Sequence, residues 1–122
     1  MRLGDGTFNV KVASRDSDRT KGLSGVNTMS ENQGLLMAFP YESDWGIWMK
    51  EMNFPIDIVW LNANKEVIYI VDNADPGGST SIIFRPKHPA KYVVELGAGI
   101  ANKRSIKVGD KAIFDIKMEE IK

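Results

Sequence analysis

Residues Trp45–Leu61 read WGIWMKEMNFPIDIVWL: three tryptophans and a run of strand-forming residues with only three charges, Lys50, Glu51 and Asp57. The pattern predicts two strands, Trp45–Lys50 and Ile56–Leu61, with Pro55 at the start of the second, where a missing amide proton is tolerated. Side chains alternate between the faces of a strand. Asp57 therefore shares a face with Val59 and Leu61, and Trp60 shares the other with Ile56 and Ile58. A carboxylate on an apolar face is costly unless it is paired or hydrogen-bonded. Something in the fold must meet Asp57.

Outward from this stretch, Asn62-Ala63-Asn64-Lys65 reads as a turn, because asparagine readily takes positive φ. Glu66–Val71 is then the return strand of a hairpin. Upstream, Gly34–Pro40 (GLLMAFP) is a continuous apolar run stopped by proline, best read as a strand buried on both faces. Phe8–Ala13 alternates as a half-buried strand, with Phe8, Val10 and Val12 on one face. Ser14–Gly22 predicts a short helix, with Ser14 or Asp16 as its cap, Asp16 and Asp18 at its positive end and Gly22 at its end. Downstream, Asp72–Pro89 is the longest stretch poor in structure, and such loops are commonly functional; within it Ile82-Ile83-Phe84 can pair briefly. Lys91–Leu96 is another strand, Gly99–Ser105 a helix of one or two turns, and Lys111–Lys117 a closing strand entered through Val108-Gly109-Asp110. About seven short strands and two small helices predict an all-β, mainly antiparallel domain, a compact β-barrel-like or sandwich fold. Helices of crossover length, the mark of a parallel sheet, are missing from the pattern.

The 122 residues predict a single domain, 1–122, with its core between about 8 and 117. With 43% hydrophobic and 26% charged residues the chain has an ordinary globular composition. Sixteen basic residues balance sixteen acidic ones, six against eight in residues 1–61 and ten against eight in 62–122. That balance offers no basic stripe of the kind nucleic-acid binding requires, so no nucleic acid is expected as a partner. The chain is cysteine-free, which excludes disulfides, thiolate nucleophiles and Cys-ligated metals. No apolar run approaches the ~20 residues of a transmembrane segment, and no basic-then-apolar leader precedes the first strand.

Arg19-x-x-Gly22-Leu23, Gly34–Pro40, Trp48-Met49-Lys50 with Pro55-Ile56-Asp57, Tyr92–Leu96 and Val108-Gly109-Asp110 occur in an order that resembles the "domain of unknown function 192" family, over roughly Phe8 to Lys117. The resemblance implies a compact, mostly β domain of bacteria and archaea with no established activity. It also allows an exported or cell-envelope protein whose leader has been removed. Two features depart from the family's pattern. Glu51-Met52 stand where the family usually has Asn-Thr, and Asn73–Gly78 lacks the cysteine pair that relatives often carry in the long loop.

For Asp57 the possible partners are Lys50, Arg19 and Glu95. On one reading two carboxylates and a cation meet in a cleft, where burial raises one acid's pKa for proton transfer. On the other, Asp57 accepts backbone amide protons, or pairs with Arg19 to anchor the first helix. The aromatic residues Tyr41, Trp45, Trp48, Phe54 and Trp60 form a stacking row or a core; Trp60 belongs to the core, and Trp48, sharing a face with Lys50, to a cleft rim or the core. His88, the only histidine, lacks companion ligands for a metal, and no Gly-x-Ser-x-Gly elbow supports a Ser-His-Asp site. Arg85, Lys87, His88 and Lys91 form a solvated basic loop or bind an acidic ligand. Gly97-Ala98-Gly99 caps a helix rather than binding phosphate, since it lacks the lysine and the full glycine spacing of a nucleotide fingerprint.

The expected function is therefore that of a small β-barrel binding or interaction module for a small molecule, saccharide or peptide, with a polar cleft around Trp48, Lys50 and Asp57 beside the Asp72–Pro89 loop. Its candidate ligand-binding residues are Arg19, Trp48, Lys50, Asp57 and Glu95, and no cofactor or metal is expected. The alternative is a hydrolase acting on a saccharide or small ester, with Asp57 and Glu95 as acid and base.

Overall fold

The computed structural model describes residues 1–49, 51–75 and 83–122. Its centre is a five-stranded sheet in the order β3-β4-β9-β6-β7, built from β3 (Asn9–Ala13), β4 (Gln33–Ser43), β6 (Ile56–Leu61), β7 (Val67–Ala74) and β9 (Ala90–Gly97). Two ribbons flank it: β1 (Arg2–Leu3) with β2 (Gly6–Thr7), and β5 (Ile47–Trp48) with β8 (Ile83–Phe84). The helices are short, α1 (Asp16–Lys21) and α2 (Ile100–Lys103). The protein is all-β and mainly antiparallel, and the sheet stays open, with β3 and β7 at its edges rather than closing into a barrel. Among the described residues no helix is long and apolar enough to cross a membrane.

β4, β9 and β6 lie side by side in the middle and are buried on both faces, which is why Gly34–Phe39 and Ile56–Leu61 read as nearly unbroken apolar runs. Leu36, Ala38, Val59, Leu61, Val94 and Leu96 pack on one face under α2 and the C-terminal segment. Leu35, Met37, Phe39, Ile56, Ile58, Trp60 and Val93 pack on the other, covered by Leu23, Ile47 and Met49. Trp60 is fully buried, as its place beside Ile56 and Ile58 predicts. Its indole Nε1 donates to the Trp45 carbonyl at 2.9 Å, so the ring's polar edge is satisfied inside the core.

Several expectations change, among them the cap of α1: Arg15 stands at the N-cap with no side-chain hydrogen bond, in place of Ser14 or Asp16. β3 pairs with β4 in parallel, through α1 and the loop to residue 32. A helix of only six residues suffices because the loop supplies the rest of the crossover length. β4 runs past Pro40 to Ser43, and the proline sits where pairing with β9 breaks between Ala38 and Ser43. Residues 111–117 do not form a strand but touch the sheet system at two isolated bridges, Glu66 to Lys111 and Arg2 to Ile113. In the β6–β7 turn the left-handed residue is Lys65, at φ 64°, not an asparagine. Asn62 acts instead through its side chain, whose Oδ1 accepts the amides of Asn64 and Glu66 at 2.9 and 3.0 Å.

Candidate functional site

Asp57 is fully buried and meets two backbone amides: Oδ1 accepts from Asn73 N and Oδ2 from Ala101 N, both at 2.9 Å. The register explains why. Ile56 faces Ala74 and Ile58 faces Val71, so Asp57 alone opposes both Asp72 and Asn73, a β-bulge with Asn73 at φ 51°. The other oxygen caps the first turn of α2, whose N-cap Gly99 is left-handed at φ 87° and offers no side chain of its own. Asp57 is a brace between strand and helix. Neither Arg19 nor Glu95 is its partner, and Lys50 lies outside the described residues.

Glu95 is on the other side of the sheet. Asp57 is registered with Leu96 and Ile58 with Glu95, and alternation sends the two carboxyls to opposite faces. The acid–base dyad of the hydrolase reading is therefore not assembled. Glu95 is 2% exposed, with Leu35 and Ile58 as its cross-strand neighbours. Burial among such residues pushes its carboxyl up to about 7. Among the described residues no hydrogen bond or ion pair meets this carboxyl. No fully enclosed side-chain oxygen or nitrogen is left unsatisfied among the described residues, and Glu95 borders the cleft above it.

That cleft has a volume of about 480 Å³ and lies between α1 with its following turn and residues 45–49, 51 and 52. Glu95, Met37 and Phe39 come from the sheet beneath it, and Leu23, Ile47, Trp48, Met49 and Met52 wall it. Trp48 stands on the rim at 52% exposure. Trp45 stacks on Phe39 with centroids 4.3 Å apart and planes 10° apart, and its Nε1 donates to the Tyr41 carbonyl at 3.0 Å. The aromatic residues thus divide: Trp60 in the core, Trp45 stacked into a wall, Trp48 at the edge.

Arg19 also lines the cleft, with three of its five N–H donors occupied and Asp16 Oδ1 3.9 Å from Nη2. Nη1 donates to the carbonyls of Ser14 and Ala38, both at 2.8 Å, and Nη2 to that of Lys122 at 2.5 Å. Its guanidinium lies 5.1 Å from the Phe39 ring centroid. These contacts pin α1 to β4 and form one side of the cleft.

The residues of the basic loop disperse. Lys91 is buried and donates to the carbonyls of Phe39 and Pro40 at 3.0 and 3.2 Å. Arg85 reaches Asp44, and Lys87 sits over Tyr69. His88 is exposed. No group of three His, Asp or Glu residues able to hold a metal ion is present among the described residues.

The methionines and Leu23 were not singled out by sequence reasoning. Met37 and Phe39 lie in a run buried on both faces, where apolar character does not tell which face opens to a cleft. The available signal was alternation through Lys91, Val93 and Glu95, which puts two charges on one face of a buried strand.

The chain is similar to a UPF0127 protein of Pyrococcus furiosus, 39% identical over 108 residues, covering 84% of this chain and 86% of that one. A UPF0127 protein of Thermococcus sibiricus is 28% identical over 115 residues, covering 93% and 70%. A Sinorhizobium meliloti crystal structure, described as that of a candidate transcription regulator, matches with a TM-score of 0.79 at 28% identity over 85% of this chain and 79% of its own. A Novosphingobium aromaticivorans protein of unknown function shares the fold with a TM-score of 0.81 at 24% identity, over 88% and 75%. A family model matches residues 1–114, and with it the chain belongs to the domain-of-unknown-function 192 family, DUF192, described as "Uncharacterized ACR".

Proposed function

We propose that this protein is a binding module whose site is the cleft over Glu95, taking a ligand with an apolar body and a polar end. The observation that carries this reading is Glu95 itself: a carboxyl 2% exposed, with no partner among the described residues, at the base of a cleft walled by methionine, leucine and aromatic side chains. A buried polar group is ordinarily bonded, and a concave, partly apolar site with a few convergent polar groups is the usual form of a small-molecule site. The stability lost by holding an unpaired acid there is what a bound partner would restore. Of the five expected residues, Arg19, Trp48 and Glu95 border this cleft, whereas Asp57 supports the fold from the opposite face.

Titration with amphipathic fragments, followed by amide shifts in a ¹H–¹⁵N spectrum, tests the reading. Saturable shifts should cluster at Leu23, Met37, Ile47, Trp48 and Glu95. Shifts confined to other regions, or none with any fragment, would sink it.

A further inference from the structure

We propose that the polar end of the ligand is an organic ammonium, seated on Glu95 with its aliphatic stem along the methionine and tryptophan walls. This rests on the binding reading above and narrows it to one chemical class. Glu95 can only accept when ionised, and among the described residues nothing donates to it, so a donor brought by the ligand finds an open acceptor. An ammonium brings three N–H donors and the compensating charge together. Trp45 and Trp48 border the same cleft, and aromatic faces attract cations. The thioethers of Met37, Met49 and Met52 adapt to an alkyl stem.

Other classes fit less well. An anionic ligand would look to Arg19, but three carbonyls already take up three of its five donors and Asp16 stands 3.9 Å from Nη2. A metal ion would find no converging ligand set, since no group of three His, Asp or Glu residues able to hold one is present among the described residues. The same ammonium chemistry is offered by a free alkylamine and by a lysine side chain in a peptide.

Three probes separate these cases: n-hexylamine, n-hexanol and Nα-acetyl-lysine N-methylamide, each titrated while tryptophan fluorescence and cleft amide shifts are followed. Hexylamine should bind at least about tenfold more tightly than hexanol, and Glu95→Gln should remove that preference while leaving hexanol within about twofold. Binding of the lysine derivative comparable to hexylamine assigns the site to peptides; binding of hexylamine alone assigns it to free amines. The parent protein supplies a second measurement that needs no variant. Hexylamine affinity should rise about tenfold or more between pH 5.5 and 8 as Glu95 ionises, with hexanol unchanged.

The other charged side chains facing this region among the described residues are Asp16, Arg19 and Lys21 of α1, Glu51 of the opposite wall, and Lys91 on the same face of β9. Their contribution is read from Glu95→Gln, which should be flat over that range. Equal affinity for hexylamine and hexanol would overturn the ammonium inference and leave the cleft as a site. Absence of binding by all three probes, together with no fragment binding, would overturn both.

Discussion

Removing the Asp57 carboxylate would leave two amides, those of Asn73 and Ala101, without the acceptor that joins a bulge to a helix start. Asp57→Ala should cost roughly 2–5 kcal/mol in urea unfolding, because each stranded buried donor costs about 1–3 kcal/mol; a loss below about 1 kcal/mol would contradict the brace. Trp48 makes the opposite forecast. At 52% exposure, Trp48→Ala should change stability by less than about 1 kcal/mol while weakening fragment binding at the cleft. A large fall in melting temperature would instead place the ring in the core. That Asp57 needs a companion was legible, since it interrupts an apolar run. The companion's identity was not, because Ala101 lies 44 positions away and an amide carries no mark in the sequence.

At the scale of elements, β4 is packed tightly between β3 and β9 at Gly34. A Cβ on Gly34 would stand 2.9 Å from Leu96 Cδ2, 3.2 Å from Val10 Cγ1 and 3.3 Å from the Glu95 carbonyl. Gly34→Ala should therefore destabilise by about 1–3 kcal/mol through overpacking, measured by chemical denaturation; an unchanged midpoint would mean that β3 gives way freely. Strand bounds were readable where burial is complete, as in Ile56–Leu61, whose limits coincide with β6. Strand direction was not. Hydrophobic alternation is the same in parallel and antiparallel pairs, so the β3–β4 pairing escaped, as did the C-terminal segment, whose alternation reflects packing against the core rather than a continuous ladder. The cleft was half legible: a charge on a buried strand marks Glu95, but the turn after α1 and residues 45–49, 51 and 52 meet over it only in three dimensions.

For the molecule as a whole, Glu95 shapes stability against pH. Its carboxyl ordinarily ionises near 4.5 and here near 7. Below about pH 4.5 it is protonated in folded and unfolded chains alike, and its burial carries no ionisation penalty. As pH rises the unfolded chain ionises first, so stability falls and then levels off above about 7, a loss of roughly 3 kcal/mol. Thermal unfolding should show this decline in the parent, whereas Glu95→Gln should flatten it and be the more stable form at pH 8. Coincident profiles would refute the assignment. The pairing of Arg2 with Ile113, of Lys122 N with the Ser14 carbonyl, and of Arg19 with the Lys122 carbonyl stitches the beginning of the sequence to its final dozen residues. A nascent polypeptide, made in one direction, completes its central strands before this seam can close. Resistance to proteolysis during translation is thus expected to appear late, when residues 111–122 emerge, and not when the sheet itself has been synthesised.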